Sequence, residues 1–431
     1  MTKILSSLPT AVSAIAILIG TATVAQAQQQ PNQVPPDAAR PSGALERGAS
    51  VVDRQRPEFD PLGIRAGSFL IFPQVEAGVT WDSNVFASED NSESDFLLEL
   101  SPSVTARNES GVHFLQLRAG ADIGRYVDQS SEKYIDFLAN AAGRYDIARE
   151  TRLSGELGVR GDHEAGGDPD SPTDRAEPVD YRVGLAQIGL RQGFNRFAVS
   201  AGGSVEYRDY DDVRRRDGLD ADQDFRDRTI YATTLRGSYE LQPGIETFVR
   251  GTYDWTRYRL EERAQRDSTG WEIAVGSDFD LTGLLTGSAY VGYEQRDYDN
   301  DLLEDPSGIS AGVRLDWAVT QLTSVTGEVT RKLEETTSLT VSARERTLLR
   351  LGVDHELLRN LILNGTAGVR RDDFQGSTRE DDYLLVGAGA TYLMNRNVYV
   401  RGGWDFITRD SNTAGNDYDR HLVTLRLGTR L

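Results

Sequence analysis

The chain is 431 residues long, carries a net charge of −20 and contains no cysteine. The missing thiols exclude a disulfide framework and thiolate metal sites. The acidic balance argues against a nucleic-acid partner, which demands a basic footprint.

The first element is an export signal. Lys3 precedes the apolar run Ala11 to Gly20, and Ala25-Gln26-Ala27 supplies small residues for cleavage. This order predicts a signal peptide over residues 1–27. The run is too short for a membrane anchor, and no later stretch is long and apolar enough for a spanning helix. An exported chain of this kind is either soluble or a β-barrel. Residues 28–67 are rich in Gln, Pro and Ala, with Pro31, Pro35, Pro36, Pro41, Pro57 and Pro61. That composition predicts a flexible N-terminal segment, periplasmic in the barrel reading.

From residue 68 to Leu431 one texture persists. In "ETFVRGTYDWTRY", Thr247, Val249, Gly251, Tyr253 and Trp255 share one face, and Phe248, Arg250, Thr252, Asp254 and Thr256 the other. Such a period of two is a β-strand. The same alternation predicts about eighteen strands, at 70–82, 95–107, 112–126, 133–147, 151–162, 180–192, 197–209, 228–241, 245–258, 268–281, 284–297, 307–319, 321–333, 344–357, 361–373, 382–393, 397–409 and 418–431. Short connections such as 108–111, 148–150, 193–196, 242–244, 282–283, 358–360 and 394–396 alternate with long acidic ones, including 88–95, 162–180, 209–227, 297–308, 372–382 and 409–419. This sorting predicts an all-β, antiparallel up-and-down transmembrane barrel over 68–431, with short periplasmic turns and long outer loops.

Aromatic residues fall at two levels on the apolar phase. Trp81, Phe96, Tyr134, Tyr207, Tyr231, Tyr253, Trp255, Trp271, Tyr293, Trp404 and Phe406 lie near the long loops; Tyr145, Phe197, Tyr239, Phe279, Trp317 and Tyr392 lie near the short turns. Two such belts match two membrane interfaces. In the last segment, His421, Val423, Leu425, Leu427, Thr429 and Leu431 share a face. An apolar last residue on the lipid phase looks like the assembly signal of outer-membrane proteins, without the usual terminal aromatic.

The polar phase repeats a basic residue followed four positions later by an acidic one: Arg118 and Asp122, Arg236 and Glu240, Arg250 and Asp254, Arg350 and Asp354, Arg401 and Asp405. Arg314 and Asp316 join them as lumen-facing candidates. Four residues along a strand separate two charges by roughly 13 Å, so these partners cannot pair with each other but can pair across the sheet. They make either a conduit with a structured field or a wall that satisfies itself with ion pairs and water; the two readings are compatible. An eighteen-strand barrel is too wide for its own side chains to fill. Its interior is therefore a channel unless loops or the N-terminal segment plug it. Inward Phe248, Tyr290 and Tyr399 offer rings on which a sugar can stack.

Catalytic signals are poor. "GISAG" around Ser310 matches a nucleophile-elbow pattern, yet the following residues continue a strand where that chemistry needs a strand-to-helix turn. "DADQD" (Asp220, Asp222, Asp224) opens like a calcium loop, but Phe225 and Tyr231 occupy the glycine and glutamate positions. His355 and His421 fall on the lipid phase and His163 in an outer loop, so no Ser/His/Asp cluster forms. No enzyme, cofactor or metal site is expected.

"RPEFDPLGIRAGSFLIFPQVEAGVTWDSNVF" (Arg56 to Phe86) resembles the opening of a bacterial family called putative β-barrel porin 2, or outer membrane beta-barrel proteins. The likeness rests on Arg56-Pro57, Phe59-Asp60-Pro61, Gly63-Ile64-Arg65, Phe72-Pro73 and Asp82-Ser83-Asn84-Val85-Phe86. It implies a Gram-negative outer-membrane barrel, with some relatives linked to exopolysaccharide export. Arg56, Asp60 and Arg65 are candidates for fixing the first strand's approach. The expected function is a passive polar pore for solutes, with secreted exopolysaccharide as a specialisation. The alternative is a plugged surface-contact barrel whose acidic loops bind cations, lipopolysaccharide or other cells. Expected partners are outer-membrane lipid and lipopolysaccharide, the barrel-assembly machinery and exopolysaccharide secretion proteins.

Overall fold

The structure, a computed structural model, describes residues 50–108, 113–172, 174–260, 266–338 and 341–431. The expected signal peptide, residues 28–49 of the expected flexible segment and most of the turn at 108–111 lie outside the described residues.

Alternation at every segment builds one long sheet. Its strands are β1 (Phe69–Asp82), β2 (Asp95–Asn108), β3 (Phe114–Tyr126), β4 (Tyr134–Ala148), β5 (Thr151–Glu164), β6 (Val179–Phe194), β7 (Phe197–Tyr210), β8 (Arg228–Gln242) and β9 (Ile245–Tyr258). They continue as β10 (Ser268–Leu281), β11 (Leu285–Tyr298), β12 (Ser307–Thr320), β13 (Thr323–Glu335), β14 (Ala343–Leu358), β15 (Leu361–Phe374), β16 (Glu380–Leu393), β17 (Val398–Ser411) and β18 (Tyr418–Arg430). Each pairs antiparallel with its chain neighbours, and β18 returns to β1 from Gln74↔Arg430 to Asp82↔Leu422. The sheet is thus a closed barrel of eighteen strands; its nineteenth member, Ile64–Ala66, only folds back on β1. Every expected strand meets an observed one, with ends shifted by a few residues.

The outer surface is apolar. On β9, Val249 is 56% and Tyr253 49% exposed, whereas Phe248, Thr252 and Asp254 on the alternate phase are buried. Leu157, Ile273 and Leu425 are similarly exposed elsewhere on the wall. A belt of large exposed apolar residues on all sides is stable only against hydrocarbon. Closure is equally required there, because an unpaired sheet edge in lipid leaves peptide groups without partners. In mid-wall, β2 and β3 lose their pairing at Ser101 and Pro102, where proline has no N–H to donate. No described helix is long and apolar enough to cross a membrane.

The connections sort by end. Tight turns on the side of the chain termini use the left-handed region: Asn195 at φ 61°, Gly244 at 86°, and Thr282 with Gly283 at 66° and 69°. Two consecutive positive φ values form the type I′ turn that matches strand twist. The long acidic loops lie at the other end.

The expected belt aromatics take the outward phase with one exception. Tyr134 pairs with Gly124, in step with inward Asp136 and out of step with exposed Ile135 and Phe137. Its ring fills the space over Gly124 and packs on the inner cluster of Val85, Leu97 and Tyr126. Position near a long loop misled, because phase and not height decides the face. His163 also differs from expectation: it lies within β5, stacked on Tyr134 and 2.9 Å from Asp136. His421 stacks on Trp404 and Phe406 in the outer belt, as its phase predicts.

Two predictions follow from phase and turn geometry. Leu351, mid-strand and 48% exposed, is expected to lose about 2–4 kcal/mol of unfolding free energy in bilayers when replaced by Arg, whereas Arg350→Leu next to it changes stability far less. Equal effects in urea unfolding would put the wrong residue in lipid. Thr282→Asn, which relieves a β-branched residue at positive φ, is expected to raise stability by about 1 kcal/mol in the same assay.

Candidate functional site: a charged lumen narrowed at both mouths

All twelve lumen candidates lie on the inward phase of their strands. Arg250 pairs with Glu272 on β10 at 2.9 Å, Asp254 with Arg296 on β11 at 2.6 Å, and Arg401 with Glu76 on β1 at 2.7 Å. Arg236 pairs with Asp278 on β10. Arg314 and Asp316 meet each other at 3.4 Å along one strand. Arg118, Asp122, Glu240, Arg350 and Asp354 share the phase without an ion pair among the described residues, and Asp405 faces the same side. No basic residue pairs with its acid four positions on, as the strand rise requires. Pairs of this kind add little net stability, but they hold charge in bands across neighbouring strands. Solvent reaches this wall: the Arg314 side chain is 50% exposed and that of Asp278 44%.

The inward rings are not open stacking platforms. Arg236 covers Phe248 at 3.8 Å and Arg250 covers Tyr290 at 4.5 Å, while Tyr399 is buried and bonded to Glu76. Ser310 is buried within β12, its hydroxyl donating to Glu272 at 2.7 Å, and the strand runs on past it without an elbow. In the loop 211–227, Asp212, Asp222 and Asp224 bring carboxylate oxygens within 4.8 Å of one another at the surface.

At the outer mouth the wall carries a collar of tyrosines and arginines that the sequence reading missed. Tyr126, Tyr210, Tyr258 and Tyr298 are the last residues of β3, β7, β9 and β11, and all are buried on the inner face. Arg226 lies 4.1 Å over Tyr210, Arg228 5.7 Å over Tyr258, and Arg266 5.4 Å over Tyr298. Arg370 lies 3.5 Å over Tyr383 on the facing wall. The Tyr258 and Tyr298 hydroxyls both donate to Glu335 at 3.0 Å. Guanidinium over an aromatic face gains cation–π attraction where water is excluded. A signal was present: these tyrosines close strands that climb toward acidic loops, twice as Arg-Asp-Tyr (Arg208 to Tyr210 and Arg296 to Tyr298).

Residues 165–172 cross this mouth. Glu164 at their base is ion-paired with Arg226. Six residues on, Asp170 accepts a hydrogen bond from Thr336, which follows β13. Strands β5 and β13 stand eight apart in a ring of eighteen, so the loop bridges nearly opposite walls. Six extended residues reach about 20 Å. On the way, Arg409 of β17 donates to the Gly167 carbonyl at 2.9 Å, and the glycine itself, at φ 85°, sits against Ala87 and Tyr418.

At the periplasmic end, residues 50–61 strap the inner rim. The Val51 amide donates to Ser324 of β13 at 3.1 Å, and Arg56 is buried in an ion pair with Glu356 of β14 at 2.9 Å. Arg359, Arg396 and Arg430 donate to the carbonyls of Gln55, Pro57 and Phe59 at 3.1, 3.1 and 3.0 Å. Arg56 and Asp60 therefore organise this strap, with the Asp60 carboxylate accepting from the Arg56 amide at 2.5 Å. Arg65 lies apart from them, exposed on Ile64–Ala66.

The profile of the family Putative beta-barrel porin 2 matches residues 56–431. The chain belongs to that family. It is an outer-membrane barrel, and its family and fold point to a channel rather than to an enzyme. No curated protein matches it. Among solved structures it is similar to OpdL of Pseudomonas aeruginosa, at 11% identity and a TM-score of 0.42 over 85% of this chain and 99% of that one. It is also similar to the siderophore receptor PiuA from Acinetobacter baumannii, at 10% identity and 0.47 over 86% and 82%. OccAB3 of Acinetobacter baumannii gives 10% and 0.43 over 85% and 100%. Likeness at these identities concerns the fold alone.

One collar group outside the strands titrates in an accessible range. Asp227 accepts from the Tyr210 amide at 2.8 Å and pairs with Arg259 at 3.3 Å, yet burial pushes its carboxyl up to about 6. Because the folded value lies above the unfolded 3.8, the folded state holds the proton more tightly, and its stabilising share is lost as pH rises through about 6. Limited proteolysis of the loop 211–227 is expected to be slower near pH 4 than near pH 7, and Asp227→Asn is expected to abolish that difference.

Proposed function

We propose that this porin-family barrel is a passive pore for small hydrated solutes of the outer membrane. The observation that carries the reading is an eighteen-strand wall whose inward charges stay in contact with solvent below the crossing loop. A barrel of this width leaves an aqueous lumen. Residues 165–172 divide the outer mouth and the strap at 50–61 narrows the inner one, which favours small cargo. Within this reading an exported glycan passes only as a single extended chain. The lipid and lipopolysaccharide of the outer membrane surround the wall, and the barrel-assembly machinery inserts it. Catalysis by Ser310 has no support in its surroundings.

The same two constrictions favour a second reading, a barrel closed at rest whose acidic loops serve as contact surfaces. Refolded protein in planar bilayers separates the two. Stepwise conductance that grows when residues 166–172 are shortened to two glycines is the expected outcome. Silence from the wild type, from that variant and from protein lacking residues 50–61 would establish the closed barrel instead.

A further inference from the structure

Under the crossing loop, the wall formed by β14 to β18 holds more hydrogen-bond donors than acceptors. Register places Arg370, Tyr383, Arg409 and Tyr418 in one row across four neighbouring strands. The arginines lie over the rings, Arg370 at 3.5 Å on Tyr383 and Arg409 at 4.8 Å on Tyr418. All four side chains are buried. Yet the hydroxyls of Tyr383 and Tyr418, Nη1 of Arg344 and Nη1 of Arg420 have no hydrogen-bond partner among the described residues. Buried polar atoms are almost always satisfied, so a group of unmet donors on one wall marks the place of a missing acceptor.

Charge tells which acceptor. Among the described residues, Lys332, Arg344, Arg346 and Arg370 share only Glu334 and Asp372 as ion-pair partners. Arg409 donates to the backbone carbonyls of Gly167 and Asn416 and has no carboxylate partner among the described residues. Arg420 is balanced by Asp82 at 3.0 Å, and Arg379 by Asp381 at 2.6 Å. The crossing loop adds Asp168 and Asp170 within electrostatic range of Arg344. Five cations therefore stand against four carboxylates, an excess of one positive charge. Water would satisfy the donors but not the charge.

We propose that the Arg370–Tyr383–Arg409–Tyr418 row, with Arg344, is a binding site for the carboxylate of a small monoanionic solute at the outer mouth. This rests on the pore reading and deepens it by naming a solute class. A carboxylate suits the geometry because it accepts several bonds at once from phenol and guanidinium donors. The flat guanidinium and phenol faces beside it also suit the rest of a sugar acid.

The test is calorimetric titration of the full-length protein, refolded in neutral detergent at constant ionic strength, with glucuronate, acetate, glucose and chloride as probes. Glucuronate and acetate are expected to bind, glucose is not, and chloride is expected to compete more weakly than acetate. The double variant Tyr383→Phe with Tyr418→Phe keeps both rings and both arginine stacks. It is expected to weaken glucuronate binding at least about tenfold while heat-modifiable gel migration stays as in the wild type. Absence of carboxylate binding, glucose binding as tightly as glucuronate, chloride competing as well as acetate, or an unaffected double variant would each overturn the site. Binding is read without a bilayer, so a silent bilayer with intact binding sinks the pore and spares the site. Conductance without binding does the reverse.

Discussion

A peptide group in hydrocarbon has no water to turn to. That constraint governs this molecule: every N–H and C=O of the membrane-crossing segments must find another strand, and only a sheet closed on itself leaves none over. Once β18 meets β1, the two faces of each strand acquire opposite solvents. Val249 and Tyr253 face lipid, and Arg250 and Asp254 face the enclosed side. The sorting of the turns, the outer belts of aromatics and the charged interior all follow from that division.

The interior charges act as a set. Arg236, Arg250, Asp254 and Arg401 each find a partner one or two strands away and none along their own strand. Such lacing makes the lumen field a property of the wall, insensitive to the motion of any single side chain. It also removes Phe248 and Tyr290 from the surface a solute meets, because the same arginines lie over them. Higher up, at the collar, guanidinium and phenol are stacked in quantity beneath the crossing loop.

Much of the fold was legible because a period of two is a local property. Thr247 through Tyr258 declare their faces without reference to anything distant. The chain also flags its turns locally, as at Thr282-Gly283. What escaped depends on long-range encounter. Nothing near Asp170 announces that it will meet Thr336, 166 residues later in the chain. The strap is harder still: Gln55, Pro57 and Phe59 look like part of a featureless polar stretch, and only the arginines of distant turns give their carbonyls a role. Tyr134 was misassigned for a subtler reason, since its height fits the belt and its phase does not. The inward tyrosines were visible as strand-closing residues, but an aromatic next to an acidic loop reads equally well as an interfacial anchor.

The join between β1 and β18 constrains how the molecule comes into being. Leu431 donates to Pro73 at 3.1 Å and Ser83 to His421 at 3.0 Å, partners separated by most of the chain. All other wall pairings link strands that follow one another, so a growing ribbon can coil as it lengthens, but the clasp waits for the final residues. Until then two raw edges face outward together, and sequence-distant pairing of this sort is slow. A nascent copy therefore depends on having those edges shielded, and truncation by a single strand leaves an arc with no partner for its first one.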